Sequence, residues 1–187
     1  MLENVDRHVI TEMNKNGFRH AVMATYPKEL TVDIPEHSFL ANPPYGNASY
    51  WNERARGLGG TMWVPLSSSA EENAMCHSND RYRGYDVTIH EFAHSLHLVG
   101  LSQVYPDFQP TLERLYRSAK SSNKYGSHYA MTNPSEYWGE GVGSYFNANW
   151  NHHKAPTNRD QLKALDREFY NFIDKYLGGN KWKWEAC

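Results

Sequence analysis

The sequence predicts an α+β fold. Short extended runs fall in the first seventy residues, helical patterns take over after residue 85, and no linker divides them, so residues 1–187 read as one domain. The balance is ordinary for a globular chain, at 40% hydrophobic and 21% charged.

Residues 4–16 form the first helical pattern, with Val5, Val9 and Met13 on one face and Gly17 as the stop. "HAVMATYP" (20–27) and "ELTVDI" (29–34) read as strands joined through Pro27-Lys28. "PEHSFLANPPYGNASYWNE" (35–53) reads as loop, and "GLGGTMWVPL" (57–66) as glycines leading into a short strand. A helix over 85–100 follows, capped near Asp86 or Thr88 and stopped by Gly100. Further helices are expected over 110–121, with Leu112, Leu115, Tyr116 and Ala119 inward, over 135–147, and over 159–177. Trp182 and Trp184, in the terminal "KWKWEAC", are expected to pack on the sheet.

Nineteen Lys and Arg against 21 Asp and Glu leave no basic excess, which argues against a nucleic-acid partner. No apolar run reaches the length of a membrane span. The first residues carry acids where a signal peptide would be apolar, so the chain reads as a mature or trimmed form. Cys76 and Cys187, 14% aromatic residues and the acceptor sequence Asn47-Ala48-Ser49 favour an extracellular protein, expected as a monomer.

The chemistry lies in "YDVTIHEFAHSLHLVG" (85–100). Helical residues four apart share a face, so His90 and His94 can aim two imidazole nitrogens at one zinc ion. Glu91, about 100° around the helix, borders the same cleft, where a base can take a proton from water. A histidine ligand six residues after His94, as in H-E-x-x-H-x-x-G-x-x-H, fails here, because His97 stands at the glycine and Gly100 at the histidine. His97 is therefore expected to pack or to support the site. The other source of a third ligand is a later helix, and "NPSEYWGEGVGSYF" (133–146) offers Glu136 as ligand. Glu140, four residues on, can accept the free ring N–H of a ligand histidine. Weaker rivals for the third ligand are Glu113, His128 and the His152-His153 pair.

"HEFAH" followed by "YAMTNPSEYWGE" (129–140) resembles the catalytic domain of the anthrax lethal factor-like zinc metallopeptidases, whose relatives include the Pro-Pro endopeptidases. The resemblance spans residues 85–146. It implies a gluzincin-type zincin fold, a small twisted sheet over the motif helix with helices below. It implies His90, His94 and Glu136 as zinc ligands and Glu91 as base. Tyr129, seven positions before the ligand glutamate, would steady the oxyanion as a hydrogen-bond donor. The glycine-rich "GEGVGS" departs from the family and is expected to weaken that helix.

The expected function is thus a zinc endopeptidase acting on a peptide or protein. "GGTMWVPL" is a candidate for an edge strand to which an extended substrate could add. The alternatives are a catalytically silent zinc-binding adhesion or inhibitor module, and a zinc hydrolase of a non-peptide bond. The intact Glu91 speaks against the silent module.

Overall fold

The computed structural model describes residues 2–150, 155–179 and 182–184. Helix α1 (Arg7–Lys15) starts where the Asp6 carboxylate accepts the His8 N–H, and it buries Val9 and Met13. Gly17, at φ +73°, turns the chain into strand β1 (Arg19–Met23). The second expected strand does not form, since Thr31–Asp33 is a 3-10 turn that folds back through the Asp33 carboxylate. The stretch expected as loop contains a 3-10 segment, Pro35–Ala41, and helix α2 (Ala48–Arg54), capped by the Asn47 side chain. His37 is buried there.

The strand expected within 57–66 is displaced. Residues 61–64 make a turn closed by Thr61 and Val64, and strand β2 is Leu66–Ala70, "LSSSA". It pairs in parallel with β1, from Arg19 opposite Leu66 to Met23 opposite Ala70. All of β2 is buried, and its serines are satisfied locally: His20 bridges the Ser67 and Ser69 hydroxyls at 2.7 and 2.9 Å, and Leu58 donates to Ser68. Leu58 also forms an antiparallel bridge to Ser68, so β2 is flanked on both sides and the expected edge strand is absent.

A short helix, α3 (Glu71–Ala74), carries Glu72, whose carboxylate takes the buried Arg56 guanidinium at 2.6 and 2.9 Å. The motif helix α4 (Val87–Ser95) is capped by Asp86, which accepts from Ile89 N; Thr88 instead donates to Ser69 and ties α4 to β2. Gly100 does not stop it. The chain continues through a π-helical stretch, Leu96–Leu101, into α5 (Ser102–Val104), and Gly100 allows α1 to approach, with Val9 and Met13 beside it.

The remaining helices supply the core. Helix α6 (Phe108–Ser121) buries the four predicted residues together with Phe108. Helix α7 (Pro134–Tyr145) buries Tyr137, Trp138, Val142 and Tyr145, and the Trp138 indole donates to Ala93 O of α4 at 2.8 Å. The last predicted helix is split into α8 (Arg159–Leu165) and α9 (Arg167–Leu177). Asp166 leaves helical geometry between them to accept from Lys124, Tyr125 and Tyr137. Trp184 and Trp182 pack near Phe146 beyond α7, not on the sheet. Mixed helix with a small two-stranded sheet against α4 is the α+β arrangement expected. Among the described residues no helix is long and apolar enough to cross a membrane. Cys76 is disulfide-bonded; Cys187, the other cysteine of the chain, lies outside the described residues.

Candidate metal centre

Helix α4 presents His90 and His94 one turn apart, with the two Nε2 atoms 2.9 Å from each other. Helix α7 brings Glu136 to them. Asn133 caps α7 by accepting from Glu136 N at 2.9 Å, and Pro134 starts its first turn, so Glu136 stands where the helix dipole favours a negative charge. Its Oε2 lies 3.1 Å from His90 Nε2 and 3.3 Å from His94 Nε2.

Three electron-pair donors thus form a triangle with edges of 2.9, 3.1 and 3.3 Å. Ligands about 2.0–2.1 Å from one tetrahedral ion stand roughly 3.3 Å apart. The donor set therefore fits a single small cation. The cluster's electrostatics ask for positive charge as well. Burial alone would lower the His90 pKa, but the Glu136 hydrogen bond and the surrounding carboxylates hold it up to about 9. Burial pushes Glu136 up, yet the two imidazoles hold it well below the usual carboxylate range. A buried His90, Glu91 and His94 group, with donor atoms within 4.8 Å of one another, could hold a metal ion.

No family model, curated protein or solved structure matches this chain.

The residues around the triangle fall into two groups. Behind His90, Glu140 Oε1 lies 3.6 Å from Nδ1, a buried nitrogen with no hydrogen-bond partner. Glu140 is itself fixed by the Tyr85 hydroxyl at 3.2 Å and the Asn149 amide at 2.8 Å. Gly139 faces the same ring: a Cβ there would lie 2.8 Å from His90 Cε1. The glycines of "GEGVGS" therefore include one that makes room for a ligand ring. In front, a cleft of about 640 Å³ is lined by His90, Glu91, Tyr85, Tyr129, Arg54 and Trp150 among others. Burial raises the Glu91 pKa, partly offset by His90 and His94, which makes its carboxylate a stronger base. Burial and Glu136 push the Tyr129 phenol up to about 12, so it stays a donor at neutral pH.

The other candidates are not among the three donors, although His128 lines the same cleft. His97 is buried and hydrogen-bonded to Gln109 at 2.6 Å; burial holds its pKa down to about 4, the state of a neutral packing residue. Glu113 is engaged on α6 by Gln109 and Arg117. His128 lies 4.0 Å from Glu140, on the outer side of the ring support. His152 and His153 lie outside the described residues. Sequence reasoning missed Tyr85, Asn149 and Arg54. Tyr85 directly precedes the Asp86 cap, the one local signal that could have singled it out.

Proposed function

We propose that the chain is a zinc-dependent endopeptidase. One observation carries the reading: three donors from two helices converge on a point beside a cleft that also holds an acid with a raised pKa and a phenol. A purely structural site needs neither Glu91 nor open space in front of the donors.

His90, His94 and Glu136 would hold the ion, and Glu140 would accept the Nδ1–H of His90 and so turn its Nε2 lone pair inward. Zinc bound there makes water acidic near neutral pH and polarises the scissile carbonyl. Glu91 accepts the proton of the attacking water and returns it to the departing amine. Tyr129 donates a hydrogen bond to the oxygen that becomes negative during attack. The zincin architecture and the membership implied by "HEFAH" and "YAMTNPSEYWGE" belong to the same proposal. So does an extracellular setting, which the engaged Cys76 supports, since disulfides persist in oxidising compartments.

The test is a digest of a broad peptide library by zinc-loaded wild type and by Glu91→Gln. The wild type should cleave, and Glu91→Gln should retain zinc while losing at least about 100-fold in kcat, the lower range for a general base. Cleavage that survives the substitution, or a zinc-loaded wild type that cleaves no peptide, would refute the endopeptidase.

A further inference from the structure

Resting on the endopeptidase reading, we propose that Arg54 is a positioning residue for Tyr129: its guanidinium occupies the phenol's acceptor side, so that the O–H is turned away from it.

Arg54 is the last residue of α2, a helix remote in sequence from the motif segments. Its Nη2 donates to the Tyr129 hydroxyl at 3.4 Å, and both residues line the cleft with Glu91. Among the described residues no carboxylate pairs with Arg54, whereas the neighbouring Arg56 is consumed by Glu72. Arg54 is exposed at the rim, so no folding role requires it there. A phenol has one proton and accepts through its oxygen. Its proton has Glu136 as acceptor, and an ion held by the triangle would engage that carboxylate and leave the proton for a substrate oxygen. A cation on the oxygen disfavours orientations that point the O–H at Arg54. It also adds positive charge behind the donor, where charge develops on the substrate oxygen. An arginine hydrogen-bonded to a hydroxyl in a reaction cleft, and acting on the Glu91 carboxylate only through space, is accounted for in this way.

The experiment is a double-mutant cycle on the zinc-loaded full chain, with Arg54→Ala, Tyr129→Phe and the pair, measured on a peptide the wild type cleaves. Arg54→Ala should lower kcat by about tenfold, the scale of one charge-assisted hydrogen bond, with KM within about twofold. In the Tyr129→Phe background the same change should cost less than about twofold, because the oxygen it serves is gone. Arg54→Lys should recover part of the loss. An equal loss in both backgrounds overturns the proposal, and so does a rise in KM at constant kcat, which would make Arg54 a substrate-binding cation. A wild type that cleaves nothing removes the endopeptidase and this role with it. An active wild type whose Arg54→Ala keeps its kcat removes only the role of Arg54.

Discussion

The helical wall of the cleft, α4 with α7, and the irregular wall, residues 54–57 and the segment behind them to Gly60, with 82–85 and 127–129, are held differently. The helical wall is fixed by period and by core packing: His90 and His94 share a face, Trp138 locks α7 to α4, and the Asn133 cap sets Glu136. The irregular wall is fixed by single polar contacts and close approaches. Arg54 reaches Tyr129, Arg56 reaches Glu72, and a Cβ on Gly59 would lie 2.4 Å from His94 Cβ. Electron-pair donors that must converge within tenths of an ångström sit on the stiffer wall. Arg54, Tyr85 and Tyr129, which line the cleft, sit on the wall that can vary without disturbing those donors.

The largest expected effect comes from removing a donor of the helical wall. Glu136→Ala should lower zinc affinity by more than about 100-fold, beyond the range for supporting residues. Competition against a chromophoric chelator measures it. Unchanged affinity would take Glu136 out of the site and leave the two helices joined by packing and the Trp138–Ala93 hydrogen bond.

The metal-free protein should show the same cluster through pH. His90 has a folded pKa near 9, above its unfolded value of 6.5, so its protonated form contributes stability that is complete below about pH 6.5. That contribution is lost as pH rises through 9. Glu136 is depressed, so its contribution is present above about pH 4.5 and fades as pH falls. Denaturant midpoints of metal-free protein should therefore be highest between about pH 4.5 and 6.5 and decline through pH 9. In Glu136→Gln the alkaline decline should shrink. A decline of the same size in that variant would place its origin elsewhere.

How far the sequence discloses each wall follows from this. The helix period puts His90 and His94 on one face before any coordinates, whereas Glu136 is read from a separate segment and no period links it to them; the structure brings its carboxylate within 3.1 and 3.3 Å of the two rings. Capping chemistry reads nearly as well at Asp86 and Gly17, which mark expected boundaries, while the Asn133 cap starts α7 one residue before the expected 135. The irregular wall is opaque because its signals are not periodic. "LSSSA" lacks the β-branched residues of a strand, and it is one because His20 and Thr88 satisfy its hydroxyls across 47 and 19 residues. "GLGG" reads as a lead-in to a strand, whereas its glycines let the backbone lie on α4. Gly100 and residue 166 mislead for a related reason. Helix propensity predicts a stop at the first and continuity through the second. Tertiary contact reverses both, with α1 packed on Gly100 and three donors drawing Asp166 out of the helix.

Overpacking one residue on each wall sharpens the contrast at intermediate size. Gly139→Ala puts a methyl against the His90 ring, and Gly59→Ala puts one against His94 Cβ. Each should cost about 1–3 kcal/mol of stability, read from denaturant unfolding. Only Gly139→Ala presses on a ligand ring throughout, at 2.8 to 3.1 Å from three of its atoms, so it should also weaken zinc binding more than Gly59→Ala does. Equal losses of affinity would mean that the two walls hold the donors alike.

The smallest expected effect crosses from one wall to the other. The Tyr85 hydroxyl donates to Glu140 Oε1, the oxygen facing His90 Nδ1, so the irregular wall touches the metal donors through one phenol. Tyr85→Phe keeps the ring, which lies 5.7 Å from His90, and removes only that bond. Glu140 retains the Asn149 amide at 2.8 Å, so its carboxylate stays oriented by one donor in place of two. With the Asn149 donor kept and water able to enter from the cleft, the loss of this one donor should cost about 1 kcal/mol. Zinc affinity should accordingly fall by no more than about tenfold, well short of Glu136→Ala, with the fold intact. A fall as large as that of Glu136→Ala would show that the helical wall does not hold its donors by itself and that Tyr85 belongs with the residues that set the site.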